Sequence, residues 1–209
     1  MTVKKLTVKK SLPFTFLALV IISSLVACSG ARQASSSASL RVALVASFVS
    51  DESVEGFATY LKTGLPEYND DEKSFSVVGI SAGDPAGDPM IVMAGSTRIA
   101  AMLASREIEL WISDPENAKK YADNGANYIA LDELFSADEI SLLGGTPIAI
   151  PVTDREGNTT GELSPIVGID LSQNAAVAEM TGIRAPQMFV LAGSSNLEAA
   201  KAVFRLLAE

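Results

Sequence analysis

The chain of 209 residues has no histidine and a single cysteine, Cys28. Without histidine there is no Ser–His–Asp relay, no imidazole base and no imidazole metal ligand. One thiol cannot close an internal disulfide, and cysteine zinc sites need several thiolates. Aromatic residues make up 6% of the chain, few for a sugar-binding cleft. The G-x-S-x-G, S-x-x-K and phosphate-loop patterns are also missing. These absences point away from an enzyme, and no cofactor or metal is expected. Positive charge is scarce as well, with 16 Lys and Arg against 25 Asp and Glu. Residues 1–27 hold four of the lysines and no acid, so the remainder carries 12 against 25, a net charge of −13. Such a surface disfavours nucleic acid and electrostatic adhesion to anionic lipid.

A basic start (Lys4, Lys5, Lys9, Lys10) leads into an apolar run from Leu12 to Ala27. The run is shorter than the ~20 residues of a spanning helix. With small Ala27 before Cys28, it reads as a signal peptide over residues 1–27. The sequence Leu25-Val26-Ala27-Cys28 resembles the lipobox of bacterial lipoproteins. That resemblance implies a diacylglycerol on the Cys28 sulfur and, after cleavage, acylation of the Cys28 amine. Two acyl chains at about 0.8 kcal/mol per buried CH₂ make a durable anchor, whereas one chain is marginal. The expected location is therefore the cell envelope, lipid-anchored to a membrane on its extracytoplasmic side. Residues 28–39, small and polar after the cysteine, read as a lipidated flexible tether. Residues 40–209 are long enough for one domain with a sizeable core.

Within that domain, Leu40–Ala46, Phe75–Ile80 and Glu109–Ser113 are short apolar runs read as strands. Val54, Phe57, Leu61 and Leu65 recur at helical spacing, and Pro66 follows. Asp88 caps a predicted helix that starts at Pro89 and runs to about Ser105. Asp114-Pro115 opens another, and Ser136 with Glu139 forms a capping-box pattern. Pro147–Val152 and Ile166–Ile169 read as strands flanking a turn at Glu156-Gly157-Asn158. A helix from about Ala175 to Met180, a strand at Met188–Leu191 and a helix from Asn196 to Leu207 complete the chain. The alternation predicts an α/β fold: a mostly parallel sheet with helices on both faces.

Ligands of such sheets sit beyond the carboxyl ends of strands. The candidate ligand-binding residues at those ends are Ser47, Ser81, Gly83, Asp84 and Asp114, offering hydroxyls, carboxylates and backbone N–H groups. The loop Ser81–Asp88 equally suits a plain strand-to-helix connection closed by an aspartate cap. Asp154, Glu156, Asn158 and Glu162 offer alternating oxygens, but Thr159 stands where a calcium loop needs glycine, so a solvated hairpin is expected. Asn69–Glu72 reads as a solvated turn, and Trp111 as core.

The segments Ser96–Glu116 and Val190–Leu207 resemble parts of the extracellular solute-binding proteins of bacterial importers. The first matches a Met/Leu/Ala-rich helix, a short strand and an acidic turn. The second matches a strand, a Ser-rich turn and a helix beginning Glu198-Ala199-Ala200. Gly168–Ser172 resembles small lipoproteins related to that family. Members of the family are larger and close two lobes on a ligand; this chain has room for one. The resemblance implies a single lobe of the periplasmic-binding-protein fold, with a small solute and an importer permease as partners. The alternative is an envelope interaction module without a ligand pocket.

Overall fold

The structure is a computed structural model that describes residues 39–70 and 73–208. The signal peptide, Cys28 and the tether as far as residue 38 lie outside the described residues. The strands are β1 (Leu40–Ala46), β2 (Phe75–Ser81), β3 (Leu110–Ser113), β4 (Thr146–Thr153), β5 (Thr159–Asp170) and β6 (Gln187–Val190). The helices are α1 (Asp51–Gly64), α2 (Pro89–Ser105), α3 (Pro115–Lys120), α4 (Leu131–Leu134), α5 (Ala137–Leu142), α6 (Ala175–Thr181) and α7 (Leu197–Ala208), with a 3₁₀ turn at Pro66–Tyr68.

The strands form one six-stranded sheet in the order β2-β1-β3-β6-β5-β4. Successive strand residues point to opposite faces, and β1 buries both. Leu40, Val42, Leu44 and Ala46 share one core with Phe57 and Leu61 of α1 and with Val203, Phe204 and Leu207 of α7. Ala43 and Val45 join a second core with Ile99 of α2, Trp111 and Phe189. Burial on both faces explains why β1 reads as an unbroken apolar run. Complete burial of Phe57 and Leu61 contributes roughly 1.5–3 kcal/mol each.

The expectation of a mostly parallel sheet is corrected here, because the sheet is mixed. β1 is parallel to β2 and β3, whereas the pairings β3–β6, β6–β5 and β5–β4 are antiparallel. Connection length is the physical reason. A short turn joins β4 to β5, which forces an antiparallel hairpin. Between β5 and β6 the chain turns back through α6, whose seven residues span only ~10 Å. The Leu171 N–H donates to the Pro186 carbonyl at 2.8 Å, closing that excursion at the same end of the sheet. β4 forms one edge, carries Pro147 and Pro151, and shifts register against β5 at several points.

Helix starts follow their caps. Asp88 Oδ1 accepts from the Met90 N–H at 2.8 Å, and Pro89 occupies the first helical position. Ser136 and Glu139 form the reciprocal capping box of α5. α2 sits tightly on the sheet at Gly95, where an added Cβ would lie 2.5 Å from the Ser81 carbonyl oxygen and 2.9 Å from Ala82 Cα. Much of the rest of α2 faces outward, with Met90, Ile91 and Met93 exposed.

Candidate functional site

β1 and β3 run parallel and finish side by side, Val45 being in register with Ser113. β6 runs the other way, and its first residue, Gln187, pairs with Ser113. The loop that enters β6 therefore meets the segments that leave β1 and β3. Between them lies an open groove of about 520 Å³, lined by Ser47, Phe48, Asp114, Glu116, Arg184 and Ala185, among others.

Asp114 is half-buried and caps α3. Its Oδ1 accepts from the Asn117 N–H at 2.8 Å and its Oδ2 from the Asn117 side-chain amide at 2.9 Å. These two hydrogen bonds from one asparagine fix the carboxylate at the groove wall. Pro115 follows at the first helical position, where its missing N–H costs nothing. Ser47 is exposed, and its carbonyl accepts from the Gly83 N–H at 3.1 Å. The Phe48 ring is 74% exposed, an unusual placement for a large apolar side chain beside a groove.

Arg184 is exposed. Ion pairs among the described residues join Arg41 to Glu107, Lys201 to Glu198 and Arg205 to Glu139, and Arg184 takes part in none. The next residue, Ala185, adopts φ +50°. A left-handed conformation costs a residue with a Cβ roughly 1–2 kcal/mol, and it persists only where the surroundings enforce it. Gly182, at φ +67°, begins the same turn. The turn thus fixes the backbone that carries Arg184.

Ser47 and Asp114 are the two predicted site residues that the groove brings together. Ser81, Gly83 and Asp84 do not line it. The Ser81 hydroxyl accepts from the Val49 N–H at 3.0 Å. Gly83 is buried at φ +81°, with no room for a Cβ beside Val92. Asp84 turns its carboxylate onto the Ala86 N–H at 2.8 Å. That loop spends its polar groups on its own backbone and on that of residues 47–49, as a strand-to-helix connection does. Phe48, Glu116, Arg184 and Ala185 were not among the predicted residues. Arg184 carried no signal, because its position depends on the direction of β6.

The β4–β5 turn is satisfied in the same manner. Asp154 Oδ1 accepts from the Glu156 and Asn158 N–H groups, each at 2.9 Å. The Asn158 backbone bond is the main reason that the Asp154 carboxyl stays below its ordinary range. Among the described residues, no group of three or more carboxylates converges to hold a metal ion. Burial pushes the Tyr128 phenol up, and its hydroxyl donates to the Ala118 carbonyl at 2.9 Å, a structural bond within the second core. No protein-family model, no curated protein and no solved structure matches this chain.

Proposed function

We propose that the chain is a non-catalytic solute-binding domain of the cell envelope, stationed at a membrane by lipid on Cys28. The site is the groove beyond β1 and β3, and the segments Ser96–Glu116 and Val190–Leu207 resemble in sequence parts of the solute-binding proteins of importers. An importer permease is the corresponding partner.

The observation that carries this reading is the groove itself. It lies at the carboxyl ends of two parallel strands, where open α/β sheets take their ligands. Its volume of about 520 Å³ falls within the ~300–1,000 Å³ of small-molecule sites. An unpaired guanidinium, a fixed carboxylate and an exposed aromatic ring converge on it. Being open on one side, it buries less of a ligand than a closing two-lobed cleft, so modest affinity is expected.

Thermal unfolding of the full chain in detergent, against a panel of amino acids, sugars and small ions, tests this reading. A solute at 100 times its Kd adds about 2.7 kcal/mol of stability, and Phe48→Ala weakens that response. A panel without any shift counts against solute binding.

The second reading, an envelope interaction module, draws on α2, whose Met90, Ile91 and Met93 face solvent. It predicts no solute-induced shift, together with loss of association when these three become serine in a chain that stays folded.

A further inference from the structure

We infer that the groove takes a zwitterion, a solute carrying both an amino group and a carboxylate, as a free amino acid or a short peptide does. This rests on the solute-binding reading above and gives it a substrate class.

Three charged side chains line the groove: Asp114 and Glu116 at the start of α3, and Arg184 on the turn before β6. Opposite charges therefore face one cavity without pairing. Arg184 has no carboxylate within 4.0 Å and no hydrogen-bond partner among the described residues. Arg41 pairs with Glu107 at 3.1 Å and Arg205 with Glu139 at 2.9 Å. Arg98, Arg106 and Arg155 join no ion pair among the described residues either, so what sets Arg184 apart is that it shares one groove with two carboxylates. The acidic wall is tied down, and the backbone that carries Arg184 is held. Asp114 is bound twice by Asn117. Arg184 rides on a turn fixed by the left-handed Ala185 and by the Leu171–Pro186 hydrogen bond.

A solute with its charges in the reverse order spans the gap. Its carboxylate meets the planar guanidinium, which matches two oxygens at once. Its ammonium meets Asp114 and Glu116. A purely anionic solute would face two carboxylates, and a purely cationic one the guanidinium. A neutral solute would strip water from three charges and return no charge to them. The exposed Phe48 ring supplies an apolar cover for a side chain, and Ser47 a further hydroxyl.

The test is calorimetric titration of the full chain in detergent. The probes are the standard amino acids and leucyl-alanine, with N-acetyl-leucine and leucine amide as single-charge analogues, and glucose and inorganic phosphate as non-zwitterions. The expected result is binding of at least one zwitterion, with affinity at least tenfold lower when either end is blocked. Arg184→Met should then lower affinity for the zwitterion at least tenfold while leaving the carboxamide analogue unchanged. Glu116→Gln should do the converse, sparing the N-acetyl analogue. If glucose, phosphate or a blocked analogue binds as tightly as any zwitterion, the charge argument is overturned and solute binding stands. If no probe binds, both fail.

Discussion

The Glu109 carboxylate grips the backbone at Ser195, 86 residues further along the chain. Its Oε1 accepts from the Ser195 N–H at 3.0 Å, the Ser195 hydroxyl at 2.8 Å and the Asn196 N–H at 3.2 Å. Its Oε2 lies 3.4 Å from the Arg41 N–H. A buried residue just ahead of β3 thus supplies the anion at the start of α7, where the exposed ends of peptide dipoles favour negative charge. Hydrogen bonds to charged groups contribute about 1.5–3 kcal/mol each. Glu109→Ala should therefore lower stability by about 2–4 kcal/mol, and Glu109→Gln by less. Urea unfolding checks this: the midpoint should fall with an unchanged slope, and a loss below about 0.5 kcal/mol would contradict it.

Gly95 sets two effects against each other. Alanine is the better helix former by about 1 kcal/mol, yet its methyl group would meet the backbone of Ser81 and Ala82, which cannot rotate away. Overpacking of this kind costs about 1–3 kcal/mol. Clash should win, so Gly95→Ala is expected to lower the melting temperature. Gly56→Ala serves as the control, since nothing lies within 4 Å of its added Cβ, and there the temperature should hold or rise. The idea fails if both substitutions stabilise alike.

Glu139 carries a pH signature. Hydrogen bonds from the Ser136 backbone N–H first, then from the Ser136 hydroxyl and Arg205, lower its pKa from 4.5 to about 2. A depressed carboxyl stabilises the fold above its unfolded value and loses that contribution as pH falls through the folded one. The difference in melting temperature between the native chain and Glu139→Gln should be constant above about pH 4.5 and close towards pH 2. Because the side chain is exposed, 1 M salt should shrink the part that Arg205 contributes. A difference independent of pH would contradict the assignment.

Anchoring is separable from folding. Cys28→Ser should move the protein out of the membrane fraction while the melting transition of the folded domain stays unchanged. An unaltered membrane-bound fraction would sink lipidation at Cys28.

What could be read in advance was local. Asp88 with Pro89, Asp114 with Pro115, and Ser136 with Glu139 each mark a helix start through groups within a few residues. The apolar runs of β1 and β3 declare burial on both faces. Strand direction is a different quantity, because the path between strands decides it. The five-residue stretch 182–186 looks like any turn, yet it leads α6 back into β6 and brings Arg184 to the ends of β1 and β3. Ser47 and Asp114 were accessible to the strand-end rule, whereas Arg184 was not. Glu109 was equally opaque: it reads as the start of a strand, and its partners lie at the far end of the chain. α4, only four residues long, has too few positions to show a period.

The two prolines of β4 also bear on behaviour in a crowd. Domains tethered to one surface meet each other often, and an open sheet edge offers each neighbour a row of hydrogen-bonding groups to extend. Pro147 and Pro151 remove two donors from that row, and the register shifts bend what remains. Such an edge is a poor template for another strand. Copies held side by side should therefore not extend one another's sheets through β4.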